Sequence, residues 1–162
     1  MASYSFEPSV GQNFTFSPVL DGNTYNATVT WNMFGQRWYI NLYDLSGNLI
    51  VSRALASSGP RQSILSATWD LNIVTVTSQL PHYLPIGSAA QLRIFSMTPS
   101  TYNGSYLCRI TGSDTFEYDL AGDPGQVVSA GSYGQVTDLA DGYFTSSVLL
   151  YYADSSNFET VP

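Results

Sequence analysis

Apolar and polar residues alternate with a period of two along much of the chain, the mark of half-buried strands. Tyr25, Ala27, Val29 and Trp31 fall on one face of a segment whose other face carries Thr24, Asn26, Thr28 and Thr30. In Arg37–Tyr43 the inward positions are Trp38, Ile40 and Leu42, and Asn48–Arg53 reads as a further strand. A short strand at Phe14–Phe16 precedes them. The breaks are turn chemistry: Asp21-Gly22-Asn23, Met33–Gln36 and Ser46-Gly47-Asn48. Glycine supplies the positive φ that tight hairpins need. Residues 14–56 therefore predict an antiparallel meander, closing as a small barrel or a sandwich.

The second half continues in the same way. Asn72–Ser78, Gln91–Phe95, Ser105–Ile110 and Thr115–Leu120 read as strands. Thr101–Gly104, Thr111–Asp114 and Asp123–Gly125 read as turns, and Pro81–Gly87 as a loop bounded by prolines. Arg61–Leu65 reads as a short helical turn or irregular chain, and Ser129–Asp138 as a Gly- and Ser-rich connector. Phe144–Tyr152 is apolar on both faces, which predicts a strand covered on both sides. Such a strand is expected to return and pair with the N-terminal meander. The first ten residues and the last few are expected to be loose. The result is an all-β chain in two parts: residues 1–71 plus 132–162 as one domain, and residues 72–131 as an inserted β-hairpin module.

Composition narrows the function. Charged residues make up 10% of the chain, against about 25% in an ordinary soluble domain. Aromatics make up 14%, with 12 tyrosines, so the exterior relies on hydroxyls and amides, a surface suited to packing against neighbours. The net charge is -7 and there is no lysine. Arg37, Arg53, Arg61, Arg93 and Arg109 are scattered, so no clustered basic field exists for a nucleic-acid backbone. Cys108 is the single cysteine, which excludes an intrachain disulfide and a cysteine metal site and predicts a small buried hydrophobe. Met1–Tyr4 lacks the basic and apolar regions of a signal peptide, and no apolar run approaches the ~20 residues of a membrane span. The expectation is a protein that stays where it is made, in the cytoplasm, or leaves it as part of a larger particle.

Residues able to do chemistry are few. His82 is the single histidine, set between Pro81 and Pro85, and no Gly-x-Ser-x-Gly elbow accompanies it. Asp70, Asp114, Glu117, Asp119, Asp123, Asp138, Asp141 and Asp154 are the carboxylates weighed as a glycosidase pair. Most stand in turns, where Asp caps its own backbone. Glu117 and Asp119 share a strand face, as a surface pair would. Asp119 and Asp123 with nearby carbonyls are the candidates for calcium, without EF-hand spacing. Gly11, Gly22, Gly47, Gly104, Gly112 and Gly125 open no helix after a strand, so they are hairpin glycines, not a phosphate loop. Asn13, Asn26 and Asn103 begin Asn-x-Ser/Thr triplets, which carry meaning only on a secretory route. Trp31, Trp38, Tyr39, Tyr43, Tyr151 and Tyr152 read either as a sugar-stacking set or as core and core-edge residues, and the second reading is preferred. No catalytic, cofactor-binding or metal residue is assigned, no cofactor is expected, and the chain is read as a non-enzyme.

One run points to a family. Phe14-Thr15-Phe16, Leu20-Asp21-Gly22, Tyr25, Val29–Asn32, Arg37-Trp38-Tyr39, Leu42-Tyr43-Asp44 and Gly47 resemble the small plug proteins of contractile-tailed phage baseplates, the cyanophage baseplate plug among them. The resemblance covers roughly residues 12–66 and rests on core aromatics and turn glycines. A second run is similar to a small β unit common in phage virion proteins: Val74–Thr77, Pro81-His82, Gly87, Thr101–Ser105, Asp114–Tyr118 and Asp123-Pro124-Gly125. Tyr83 stands where that unit has glycine, and Ser105 where it has threonine. The resemblance implies a structural virion protein made in the host cytoplasm, sited in the baseplate hub and closing the distal tail lumen. It implies partners among hub, tube and spike proteins or further copies of the chain, and no catalytic residues. The alternative is a carbohydrate- or host-receptor-binding module of the tail tip.

Overall fold

A computed structural model of the chain describes residues 1–9 and 11–162. The described residues hold fifteen strands and one short 3-10 turn at Ser100–Tyr102. The strands run β1 Ala2–Ser5, β2 Phe14–Phe16, β3 Val19–Leu20, β4 Asn23–Thr24, β5 Asn26–Asn32, β6 Arg37–Tyr43, β7 Leu49–Ala54 and β8 Gln62–Asp70. They continue as β9 Ile73–Ser78, β10 Ala89–Phe95, β11 Gly104–Ile110, β12 Thr115–Asp119, β13 Ser132–Gly134, β14 Val148–Tyr152 and β15 Asn157–Val161. All pairings are antiparallel, and the fold class is all-β.

The chain divides into two compact units, Met1–Ser58 with Thr137–Pro162, and Gly59–Val136. In the first unit the meander is an open sheet of order β2-β5-β6-β7. Its alternation places Ala27, Val29, Ile40 and Leu42 inward, each 2% exposed or less. A second sheet, β1-β15-β14, contributes Leu149 and Phe158 to the same core. The two sheets therefore form the sandwich form of the expected meander. An aromatic cluster fills it. Phe6 lies 5.2–6.0 Å, centroid to centroid, from Phe14, Trp38, Phe158 and Tyr151. Such rings carry much of the apolar area the unit buries.

Three expectations change here. The returning strand is shorter than Phe144–Tyr152, and it does not pair with the meander. It pairs with β15, and β15 pairs with β1, with Ala2 opposite Thr160. Nor are the ends loose among the described residues, because Phe158 is wholly buried and anchors the last strand.

The second unit is a closed six-stranded barrel, β10-β11-β12-β9-β8-β13. Val74, Val76, Leu92, Ile94, Cys108, Ile110, Phe116 and Tyr118 fill it. Register sets Phe116 opposite Val76 and Tyr118 opposite Val74. The Tyr118 hydroxyl, wholly inside, donates to the Tyr102 carbonyl at 3.1 Å. Residues 61–65, expected as a short helical turn or irregular chain, instead lead into β8 from Gln62, and the expected connector contains β13. Both strands are needed to close the barrel, and the compact unit runs from Gly59 to Val136. Closure also requires Gly131, where any Cβ would collide with the Phe95 carbonyl oxygen. Tyr83, standing where the similar virion unit has glycine, takes the left-handed φ of 57°.

Candidate functional site

The most exposed apolar group is a hairpin tip. Asn32 ends β5, and its Oδ1 accepts the N–H of Phe34 at 3.0 Å and of Gly35 at 2.9 Å. This Asx turn fixes the backbone while Phe34 stands fully in water and Met33 is 77% exposed. The adjacent sheet ends at β7, whose partner strand is β6 and which exposes Leu49. The other sheet of this unit is treated differently. Beyond β14, Ser58 N–H donates to Tyr151 O at 2.7 Å and Leu139 N–H to Leu149 O at 2.7 Å. Loop chain thus occupies that edge, as proteins commonly do to block unwanted strand addition.

Two carboxylates brace the first unit. Asp21, at positive φ between β3 and β4, accepts from Thr145 N–H, Ser146 N–H and Ser147 N–H at 2.8–3.1 Å. It also accepts the Thr145 and Ser146 hydroxyls, at 3.1 and 2.7 Å. These donors, the Ser146 hydroxyl first, hold the Asp21 carboxyl well below the usual carboxylate range. Asp138 accepts from Ala140, Gly142 and Leu149 N–H, while Arg53 donates to the Asp138 carbonyl and to Asp141. Asp44 closes the β6–β7 turn on Asn48 and Ser46, which lowers its pKa. Sequence reading saw Asp21 only as a turn residue. The donor-rich run Thr145-Ser146-Ser147 was the available signal, but its partner lies more than 120 residues away.

The residues weighed for chemistry are dispersed. His82 is buried, its Nδ1 accepting Leu84 N–H at 3.1 Å and its Nε2 3.4 Å from Thr115 O, so both ring nitrogens face the backbone. Glu117 and Asp119 flank Arg109, which reaches Asp119 at 3.0 Å and Glu117 at 3.8 Å. That ion pair occupies the face read as a surface pair, and Asp123 instead holds Gly125 N–H. Asp154 caps Ser155, and Asp70 stands exposed at the end of β8. Among the described residues no three His, Cys, Asp or Glu are grouped to hold a metal ion. Cys108 is wholly buried, and desolvation pushes its thiol up to about 12. Asn103 spends its side chain on Met97, accepting its N–H and donating to its carbonyl, whereas Asn13 and Asn26 are exposed. Trp31 and Trp38 face each other across β5–β6 at 5.2 Å, and Trp38, Tyr25 and Tyr151 pack against the core. Tyr39 and Tyr43 are half-buried, and Tyr152 is buried.

The chain is all-β, and its first unit carries braced turns, an exposed apolar tip and an edge strand. The model of the family described as Cyanophage baseplate Pam3 plug gp18 matches residues 4–96, and the chain belongs to that family. It is accordingly a structural protein of the bacteriophage baseplate. No curated protein and no solved structure matches the chain. The family match extends beyond the meander through β8, β9 and β10 of the barrel. Among the described residues no helix is long and apolar enough to cross a membrane.

Proposed function

We propose that the chain is the plug of a tail hub, closing the distal lumen by steric fit and docking on neighbouring baseplate proteins. The family match over residues 4–96 carries this reading, because it contains the whole meander, the Phe34 tip and the β7 edge. An edge strand offers backbone N–H and C=O groups to a partner strand, and an exposed aromatic offers an anchor for a pocket. Neither feature calls for catalysis. The partners are hub, tube or spike proteins, and the protein is made in the host cytoplasm before joining the virion. Residues 72–131, within the Gly59–Val136 unit, are proposed as an inserted module whose first part lies inside the matched residues 4–96.

The test is assembly. Phages carrying Phe34→Asp together with Met33→Ser should yield particles that lack the protein or leak DNA from the tail. The purified variant should keep the wild-type melting temperature. Particles that assemble, retain DNA and infect normally without any copy of the protein would overturn the reading.

A further inference from the structure

The barrel bears a groove that neither the family match nor the plug role explains. It lies between β8 and the chain from Asp123 to Val127, with a volume of about 510 Å³, within the range of small-molecule sites. Trp69 of β8 lines one side. Its indole N–H donates to Leu120 O at 3.0 Å, which fixes the ring by its edge. The floor is Tyr102, whose hydroxyl donates to Gly125 O at 2.7 Å and so ties down the opposite wall. On that wall Asp123 is exposed, its Oδ1 held by Gly125 N–H at 2.8 Å. Gln126 and Thr68, both exposed, complete the polar lining.

We propose that this groove binds a neutral saccharide through one pyranose ring. The argument is the donor and acceptor set. A pyranose has an apolar C–H face and a rim of hydroxyls, each both donor and acceptor. A fixed indole supplies an apolar wall for the first. A carboxylate with a second oxygen, a carboxamide and a hydroxyl supply acceptors and donors for the rim. No arginine lines the groove and the chain has no lysine. With Asp123 in place and a net charge of -7, phosphates, nucleotides and acidic sugars are repelled. A lone carboxylate is likewise too little for a metal ion. The groove lies wholly within Gly59–Val136, and its test reads ligand binding by the chain, not assembly, so it can fail without the plug reading failing.

The experiment is saturation-transfer NMR and tryptophan fluorescence on the full chain. The probes are the methyl glycosides of glucose, galactose, mannose and N-acetylglucosamine, and the disaccharides maltose and cellobiose. At least one probe should bind saturably with a Kd of about 1–10 mM, the strength of a shallow single-ring site. Trp69→Ala should weaken it at least tenfold and Asp123→Asn about tenfold, whereas Trp31→Phe, in the other unit, should leave it unchanged. Should Trp69→Ala fail to fold, Gln126→Ala and Asp123→Asn decide the matter, because both residues are exposed. No saturable signal from any probe up to about 50 mM overturns the proposal. So does binding that survives Asp123→Asn and Gln126→Ala unchanged.

Discussion

Phe158→Ala should remove much of the stability of the first unit. Phe158 is wholly buried in β15, the strand flanked by β1 and β14. Its ring lies 4.8 Å from Phe16, 5.0 Å from Tyr151, 5.5 Å from Phe6 and 6.1 Å from Phe14. A buried phenylalanine removes about 150–250 Å² from water. At about 25 cal/mol per Å² this corresponds to about 4–6 kcal/mol for the whole side chain. Alanine retains a small part of that, and the surrounding rings cannot collapse fully into the space, so the expected cost is about 3–5 kcal/mol. That is a fifth or more of a typical domain stability of about 5–15 kcal/mol. The assay is urea unfolding followed by far-UV circular dichroism and by tryptophan emission, Trp38 being 5.4 Å from Phe6. With a urea slope of about 2 kcal/mol/M, the midpoint of the Trp38-reported transition should fall by about 2 M with the slope unchanged. Phe34→Ala, at the exposed tip, should leave it in place. A fall of less than about 0.5 M for Phe158→Ala would refute the placement of β15 at the centre of its sheet.

Three further outcomes are expected. Cys108 is buried, and desolvation pushes its thiol up to about 12, so it is essentially un-ionised at pH 8. It should resist a thiol-specific chromophoric reagent in the native protein and react once urea unfolds the barrel. Asp21 has a folded pKa below its unfolded value, so its ionised form contributes stability above the ordinary carboxylate range, and this is lost as pH falls through and below that range. Asp21→Asn should lower the melting temperature at pH 7 and reduce its decline between about pH 5 and 3; an unaltered acid slope would count against the network. Gly131→Ala should prevent barrel closure, because the new methyl meets the Phe95 carbonyl oxygen and Met97 N. The readout is loss of protection from hydrogen exchange in β10 and β13, and full protection would contradict that close approach.

What was legible in the sequence follows from which forces are local. β5 and β6 alternate through their centres because one face is buried there, so their register and turn could be read directly, and β7 was found from its turn and apolar run although a register shift at Leu42/Tyr43 interrupts its pairing with β6. β8 was missed for a physical reason. A register shift between Ile64 and Ser66 changes which residues point inward, from Ile64 to Ala67 and Trp69. A bulge of this kind cancels the period on which the reading depends. β15 carries only Phe158 and Val161 as buried apolar residues, separated by Glu159 and Thr160, too weak a pattern to read as a strand. The Asp21 brace joins segments that no local signal connects. The groove at Trp69 was equally hidden, since Asp123 read as a turn residue and calcium candidate and Gln126 carried no signal until the barrel closed beside them.

The pairing of β1 with β15 also dictates an order of events during synthesis. Every strand of the barrel has been made once Val136 is in the chain, whereas Asn157–Val161 come later. The barrel can therefore fold while Ala2–Ser5 still lack their partner strand. At about 5–20 residues per second the first unit waits seconds longer, holding Phe6, Phe14 and Phe16 without the Phe158 ring that covers them. During that interval the nascent chain presents an aromatic surface and an unpaired edge. That is the moment at which a chaperone or a second nascent copy has most to bind.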